Sequence, residues 1–247
     1  MNNLVILQAR MASTRLPGKV MLEINGIPSI KFQIDRIRRS KVDELVVATS
    51  KDSSDDILVA YLEAINVNVR RGPLEDVATR FHQILDEYHP KSFLRLTADC
   101  PFVMPKLIDQ MLDYYELKNL DYLSNTTPPT FPDGLDIEIV RTTAFLSLLQ
   151  SNLTDREREH VTLGFNSGYR EFLRENFGNH KDFSYLRWTV DYPDDLEYLR
   201  KIASFLPGSE KKFTFEDILQ VLESHPEIVN RRGSNFRNIA LTLDHQE

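Results

Sequence analysis

The chain has 247 residues, of which 41% are hydrophobic and 27% are charged, a composition typical of a folded globular protein rather than a disordered or fibrous one. Its formal net charge of −7 argues against nonspecific binding to nucleic acid, which needs a positive field. The single cysteine, Cys100, suits the reducing cytosol; since no apolar run could span a membrane and no secretory signal is evident, we expect a cytoplasmic protein without membrane partners.

The first half of the chain alternates short apolar runs with amphipathic helical patterns. The apolar runs predict buried strands at residues 3–9, 44–49, 67–71 and 92–97. The helical patterns predict a helix beginning at Ile27, helices at residues 55–65 and 75–88, and a fourth helix with Pro105 in its first turn. Four successive strand–helix units predict an α/β fold with a mostly parallel sheet flanked by helices on both faces.

The pattern changes after about residue 120. Acidic and apolar residues alternate over residues 136–140, which predicts an antiparallel or edge segment. The remaining patterns predict helices at residues 143–150, 156–166 and 194–205, a strand at residues 185–190, and a last helix opened by a capping box of Thr214 and Asp217. We interpret residues 1–247 as a single domain with an embedded excursion at roughly residues 125–180.

A basic loop, residues 8–19 (QARMASTRLPGK), follows the first predicted strand. It contains Arg10, Arg15 and Lys19, while the first 22 residues contain no acidic residue. Because ligands of open α/β sheets bind beyond the carboxyl ends of strands, three cations there indicate a bound polyanion such as a polyphosphate. With one glycine, the loop is neither a Walker loop nor a dinucleotide fingerprint. The alternative is a solvated loop whose cations pair with carboxylates elsewhere.

Two carboxylate positions stand out beside this loop. Asp99 follows the fourth predicted strand at the same sheet edge, where a carboxylate and phosphate oxygens could hold Mg²⁺. The alternative for Asp99 is a turn residue before Pro101. Asp136 and Glu138 lie on one face of an extended segment and could accept hydrogen bonds from sugar hydroxyls, although an ordinary half-exposed strand has the same spacing.

The basic loop resembles the N-terminal signature of sugar cytidylyltransferases, in which Ala-Arg is followed by Ser, Arg, Pro and Lys. It is most similar to the spore-coat polysaccharide cytidylyltransferase-like family, relatives of acylneuraminate and 3-deoxy-manno-octulosonate cytidylyltransferases. The resemblance implies a Rossmann-like nucleotidyltransferase (GT-A-like) fold with an inserted dimerisation and sugar-binding segment. It also implies Mg²⁺-dependent activation of a sugar or sugar acid by CTP, giving CMP-sugar and pyrophosphate for surface polysaccharide or glycoconjugate biosynthesis. A homodimer through roughly residues 125–180 is implied as well.

The resemblance also assigns roles to particular residues. The resemblance implies that Arg10, Ser13, Arg15 and Lys19 bind the triphosphate, and that Arg10, Arg15, Lys19 and Asp99 are the catalytic residues. Further nucleotide contacts fall to Ala9, Arg71, Asp76 and Thr97. Asp191, in the stretch VDYPDDL, completes the metal pair with Asp99, and Asp136, Glu138 and His160 lie in the sugar pocket. Asp194 and Asp195 are expected to stabilise a helix N-terminus instead.

The sequence allows two alternative interpretations of the function. A glycosyltransferase of related fold would use a ready-made nucleotide sugar, but that class holds its metal with Asp-x-Asp, and Asp99-Cys100-Pro101 lacks the second Asp. A catalytically inactive binding protein on the same fold is the other reading. The intact set of Arg10, Lys19, Asp99 and Asp191 argues against it.

Overall fold

A seven-stranded sheet runs through the computed structural model, which describes residues 1–167, 171–206 and 212–228. Its strands are β1 (Asn3–Gln8), β4 (Glu44–Ser50), β5 (Asn68–Gly72), β6 (Ser92–Thr97), β7 (Tyr122–Ser124), β8 (Glu138–Arg141) and β9 (Arg174–Asn176). Strands β2 (Glu23–Ile24) and β3 (Ile27–Pro28) form a separate two-stranded sheet. The α-helices are α1 (Ser29–Ile37), α2 (Asp56–Ala64), α3 (Val77–Tyr88), α4 (Pro105–Lys118), α5 (Thr142–Leu149), α6 (Asp155–Glu159), α7 (Pro193–Phe205) and α8 (Phe215–Ser224). Short 3-10 helices lie at Lys19–Met21, Ser53–Asp55 and Leu163–Asn166.

The strand order in the large sheet is β5-β4-β1-β6-β8-β7-β9. The first four strands pair in parallel, as the four strand–helix units predict. Strand β8 then pairs antiparallel with both β6 and β7, and β9 pairs in parallel with β7 at the edge. The mostly parallel sheet and the antiparallel segment in the second half are therefore confirmed.

Strand β1 is apolar throughout because both of its faces are buried. Val5 and Leu7 belong to one hydrophobic core, and Leu4 and Ile6 belong to the other. Helices α1, α2, α4, α7 and α8 supply the first core, whereas α3 and α5 supply the second. The sheet is thus covered on both faces, which leaves the strand ends as the places where loops can form a site.

The carboxyl ends of the central strands lie side by side. Gln8 at the end of β1 is in register with Ala48 of β4 on one side and with Thr97 at the end of β6 on the other. The basic loop after β1 and the turn containing Asp99 after β6 therefore leave the sheet at neighbouring points. This register brings together two segments that are about 80 residues apart in the chain.

Three sequence predictions differ from the fold. Residues 185–190 are buried at Trp188 and Val190 but form only one isolated bridge, between Arg187 and Asp133, so the predicted strand is wrong. The helix predicted at residues 156–166 is broken, because Val161 has a positive φ of 53° between α6 and the following 3-10 helix. The helix predicted from Ile27 begins at Ser29, since Ile27–Pro28 pairs with Glu23–Ile24.

The C-terminal part agrees with the sequence up to the limit of the described residues. Thr214 and Asp217 form the predicted capping box at the start of α8. The predicted single domain extends to residue 247, but residues 229–247 lie outside the described residues. Within the described ranges, the helices are too short or too polar to cross a membrane.

Gly134 is the glycine on which the loop between β7 and β8 depends. Its φ is +104°, and a Cβ placed there would lie 2.5 Å from the Trp188 carbonyl carbon and 2.6 Å from the Thr189 nitrogen. Backbone atoms cannot move aside as a flexible side chain can. The residue therefore allows the Asp133 segment to approach the Trp188 segment closely.

We predict that Gly134→Ala lowers the free energy of unfolding by about 3 kcal/mol or more, since it combines left-handed strain with a clash against backbone. Gly26→Ala is the matched control, because Gly26 also has a positive φ, +74°, but faces open space. Its cost should be about 1–2 kcal/mol from strain alone. Urea unfolding of both variants measures the difference, and equal losses would contradict the close-approach role of Gly134.

Candidate active site

The side chains of Lys19, Asp99 and Asp191 meet at the carboxyl ends of β1 and β6. Lys19 Nζ donates to Asp99 Oδ2 at 2.9 Å and to Asp191 Oδ1 at 3.0 Å. Arg15 Nη2 donates to the same Asp191 oxygen at 2.7 Å, and its guanidinium lies 5.2 Å from the centre of the Tyr192 ring. Residues from three distant parts of the sequence thus form one charged cluster.

Opposite charges in this cluster keep each group ionised. Burial alone would lower the pKa of Lys19, but Asp99 and Asp191 outweigh it and raise that pKa above its ordinary value. Burial opposes ionisation of Asp99 too, yet Lys19 and the hydroxyl of Thr97 hold its pKa well below the usual range. The pKa of Asp191 is lowered against burial, chiefly by Lys19. Both carboxylates are therefore charged at neutral pH.

Backbone contacts fix the distance between the two carboxylates. The carbonyl of Asp99 accepts hydrogen bonds from Val190 N at 2.8 Å and from Thr189 Oγ1 at 3.1 Å. Thr97 Oγ1 donates to Asp99 Oδ1 at 2.6 Å, so the Asp99 carboxylate is also oriented from the end of β6. Asp191 follows directly on the tethered segment and is carried to the same place.

Arg187 holds Asp191 from the opposite side. Its guanidinium is buried and pairs with Asp133, with Asp191 at 2.9 Å and with Asp195 at 3.1 Å. Asp195 also accepts hydrogen bonds from the backbone nitrogens of Asp191 and Tyr192, both at 3.0 Å. Asp195 thus orders the start of α7, in agreement with the structural role expected for it.

The basic loop is tied to the neighbouring strand by Asp55, which sequence reasoning missed. Asp55 is 1% exposed, and its Oδ1 accepts a hydrogen bond from Met11 N at 2.7 Å. Its Oδ2 accepts from Thr49 Oγ1, Ser50 N and Ser50 Oγ. One buried carboxylate therefore joins the basic loop to the end of β4.

A cavity of about 340 Å³ opens beside the charged cluster. Its walls include Arg15, Thr97, Asp99 and Asp191, which the sequence assigns to nucleotide and metal binding. The three predicted sugar-site residues, Asp136, Glu138 and His160, line the same cavity. Residues predicted for both substrates therefore line one cavity.

Glu138 lines this cavity but its carboxylate is already engaged. Its oxygens accept hydrogen bonds from Tyr122 at 2.5 Å and Thr162 at 2.6 Å, and they form an ion pair with Arg95. Burial, and then the charge of Glu138, raise the pKa of Tyr122 well above its ordinary value, so the hydroxyl keeps its proton. Glu138 thus orients three polar side chains toward the cavity.

Six predicted nucleotide residues lie outside the walls of the cavity: Ala9, Arg10, Ser13, Lys19, Arg71 and Asp76. Arg71 donates to the carbonyls of Ser50 and Asp52 and pairs with Asp56. Asp76 caps α3 by accepting from Thr79, and Arg158 contacts it at 3.3 Å. The role of these side chains in binding a nucleotide stays a prediction.

The donor set at Asp99 and Asp191 fits Mg²⁺. One oxygen of each carboxylate lies within 3.0 Å of the same atom, Lys19 Nζ, and both carboxylates are ionised. Among the described residues no group of three or more His, Cys, Asp or Glu gathers as a metal site. Mg²⁺ commonly takes one or two carboxylates and completes its shell with water and substrate phosphates, so two are sufficient.

Cys100 next to Asp99 is buried, and its burial and then the charge of Asp99 raise the pKa of its thiol well above the usual value. The thiol therefore stays protonated, as expected for a small packing residue and not for a nucleophile.

Sequence reasoning missed Arg187, Arg95 and Tyr122 in addition to Asp55. One signal was available for two of them, since Arg95 and Arg187 are charges inside apolar runs, which requires buried partners. Two of the partners, Glu138 of β8 and Asp133 in the loop before it, are distant in the chain, and the sequence does not reveal their pairing with Arg95 and Arg187.

Comparisons with known proteins point in one direction. A family model described as cytidylyltransferase matches residues 4–223. The chain is 31% identical over 241 residues to the spore coat polysaccharide biosynthesis protein SpsF of Bacillus subtilis (strain 168), covering 94% of this chain and 98% of that protein. It is 21% identical over 253 aligned positions to the 3-deoxy-manno-octulosonate cytidylyltransferase of Blochmanniella floridana, covering 98% and 93%. The solved structure of a cytidylyltransferase from Leptospira borgpetersenii serovar Hardjo-bovis (strain JB197) superposes with a TM-score of 0.87 at 31% identity, covering 94% and 98%.

We predict that Asp55→Asn lowers the free energy of unfolding at pH 7 by about 2–3 kcal/mol. Both carboxylate oxygens of Asp55 accept hydrogen bonds, and in the variant an amide NH₂, which is a donor, would replace one of them. Burial raises the pKa of Asp55, but its hydrogen bonds, first that from Met11, bring it below the ordinary 3.8. A carboxylate whose pKa is lower in the folded than in the unfolded state stabilises the fold at pH values above its unfolded-state pKa. This stabilisation is lost as the pH falls through the folded-state pKa. The gap between wild type and Asp55→Asn should therefore narrow below pH 3.8.

Urea unfolding between pH 7 and pH 3 measures this gap. Asp56→Asn is the control, since Asp56 makes a more exposed ion pair with Arg71 and should cost less than about 1 kcal/mol. A gap for Asp55→Asn that stays constant over the whole pH range would show that the carboxylate charge does not hold the loop.

Proposed function

The chain belongs to the cytidylyltransferase family, and we propose that it transfers CMP from CTP to a hydroxyl of a sugar or sugar acid with release of pyrophosphate. The family membership expected from the sequence motifs is confirmed. The observation that carries the proposal is the meeting of Arg15, Lys19, Asp99 and Asp191 at one end of the cavity. Phosphate-binding cations and metal-binding carboxylates are both required there for attack on a triphosphate.

The basic loop would bind the triphosphate. Arg15 and Lys19 already contact Asp191 and Asp99, which line the cavity, and they would stabilise the charge that develops on the leaving pyrophosphate. Arg10 and Ser13 lie on the same loop and would extend the grip toward the outer phosphates. The resemblance of Ala9-Arg10 to the sugar cytidylyltransferase signature supports CTP as the nucleotide.

Asp99 and Asp191 would hold Mg²⁺, which when bound neutralises phosphate charge and orients the attack. Thr97 orients Asp99, and Arg187 orients Asp191, so both carboxylates are held in place before a ligand arrives. In the transfer, the sugar oxygen bonds to the α-phosphorus and gives its proton to solvent, while the bond from that phosphorus to the bridging oxygen breaks and pyrophosphate leaves. Positioning and charge account for this step, and no protein base is assigned.

The acceptor sugar would occupy the part of the cavity lined by Asp136 and His160. Glu138 would act there as a positioning residue, because its oxygens hold Arg95, Tyr122 and Thr162. The relative from Blochmanniella floridana is named for an octulosonate, which is a sugar acid, and the relative from Bacillus subtilis is named for spore coat polysaccharide biosynthesis. These names support a sugar or sugar acid destined for a surface polysaccharide or glycoconjugate.

We propose that the chain acts as one domain in the cytoplasm and pairs as a homodimer through roughly residues 125–180. In support, β9 lies at the edge of the sheet, where it pairs with β7 alone among the strands of the described residues, and an edge strand of this kind can pair with another chain. Leu173, directly before β9, is 54% exposed. Light scattering of the purified chain at the mass of a monomer would contradict the dimer.

We predict that the chain with Mg²⁺ releases pyrophosphate from CTP, in preference to the other three nucleoside triphosphates, when one member of a panel of sugars and sugar acids is present. Asp99→Asn should lower kcat by about 10²–10³-fold, since it removes a charge required in the transition state. Asp113→Asn is the matched control, because Asp113 lies on α4 and makes an exposed ion pair with Lys41. This substitution should leave kcat unchanged. A coupled pyrophosphate assay measures all three proteins. Consumption of a ready-made nucleotide sugar without pyrophosphate release would contradict the proposal.

A further inference from the structure

We propose that Lys19 closes the metal site of the free chain, so that a divalent cation binds together with the nucleoside triphosphate and not before it. This inference rests on the proposed function, since it concerns the same two carboxylates. It adds a second task for Lys19 besides the phosphate contact: in the absence of nucleotide its ammonium takes the place of the metal.

The position of the ammonium excludes a metal ion. Lys19 Nζ bridges Asp99 Oδ2 at 2.9 Å and Asp191 Oδ1 at 3.0 Å. A Mg²⁺ ion shared by the same two oxygens would lie about 2.1 Å from each, so ion and ammonium cannot occupy the point together. The three side chains are 14–24% exposed, so the bridge between ammonium and carboxylates is largely shielded from solvent.

The surrounding charges oppose a metal ion as well. Asp191 also contacts Arg15 at 2.7 Å and Arg187 at 2.9 Å, so this carboxylate faces three cations. A divalent ion that approached these two carboxylates would meet Arg15 and Lys19 at short range, because both cations are paired with the same carboxylates. Both carboxylates are therefore poor metal ligands until those cations have other partners.

A triphosphate would provide those partners. Lys19 carries its charge on a flexible four-carbon stem, and Arg15 is 38% exposed, so both can turn toward phosphate oxygens. Arg187 differs, because its side chain is 1% exposed and pairs with Asp133, Asp191 and Asp195. We therefore expect Arg187 to stay and orient Asp191 while Lys19 and Arg15 leave.

The exchange couples the two ligands. A nucleotide that draws Lys19 away raises the affinity for the metal, and by linkage the metal raises the affinity for the nucleotide by the same factor. The metal would then enter as a complex with the nucleoside triphosphate. A chain without nucleotide would leave its carboxylates paired with Lys19.

The test is a titration of the nucleotide-free chain with Mn²⁺, read by the loss of the free-ion signal in electron paramagnetic resonance. Lys19→Met removes the ammonium and should bind one Mn²⁺ on the order of tenfold more tightly than wild type. Lys19→Arg keeps a cation that can bridge both carboxylates and should bind as weakly as wild type. Lys31→Met is the matched control, because it also removes a lysine that is paired with a carboxylate, but that carboxylate is Asp35 on the same helix, α1.

The double variant Lys19→Met/Asp99→Asn should lose the added Mn²⁺ site, which assigns the site to Asp99. Equal or weaker Mn²⁺ binding by a folded Lys19→Met chain would overturn the proposal, as would a gain in Lys19→Arg equal to that in Lys19→Met. Wild type provides a test that does not depend on variant folding: micromolar Mn²⁺ binding without nucleotide would also overturn it. None of these readings involves turnover, so the pyrophosphate assay judges the proposed function separately.

Discussion

Neutralisation of four carboxylates at one end of the sheet is the condition on which this site depends. Asp99, Asp133, Asp191 and Asp195 lie close together, and like charges at such distances would repel unless cations were placed among them. Arg187 serves three of these carboxylates, and Lys19 joins Asp99 to Asp191. The fold keeps these groups in register through backbone contacts, such as those of the Asp99 carbonyl with Thr189 and Val190.

The two cations have different tasks that follow from their burial. Arg187 is buried, and its planar guanidinium pairs with several carboxylates at once, so we assign it a structural role. In the part of the chain that the structure describes, the ammonium of Lys19 is held by the two carboxylates that would bind metal, and it can move without disturbing the core. The site is thus built from a rigid anionic frame and movable cations, an arrangement suited to a polyphosphate substrate that carries its own metal.

Much of the fold was predictable because its first half is regular. Strands β1, β4, β5 and β6 are short apolar runs separated by amphipathic helices, and that alternation specifies a parallel sheet. The basic loop and Asp99 were predictable for the same reason, since both follow directly on such strands. The segment at residues 185–190 was misread because Trp188 and Val190 are buried against loops, and burial alone mimics the pattern of a strand.

The sequence could not reveal contacts made across the fold. Asp55 lies in an ordinary acidic stretch, yet it anchors the basic loop through Met11, 44 positions away. Glu138 was predicted as a sugar ligand from its face of the strand, but the pairing of β8 with β6 and β7 places Arg95 and Tyr122 on its oxygens. The contact of Lys19 with Asp99 and Asp191 likewise depends on the fold bringing distant segments together, which the spacing of residues in the sequence does not reveal.

A crystal structure of the chain with CTP and Mn²⁺, with anomalous diffraction to locate the metal, tests the central claim most directly. The account predicts the triphosphate against Arg15 and Lys19 at the carboxyl ends of β1 and β6, with the metal between Asp99 and Asp191 and Lys19 turned onto phosphate. A nucleotide bound elsewhere, or a metal that avoids Asp191 while Lys19 keeps both carboxylates, would contradict it.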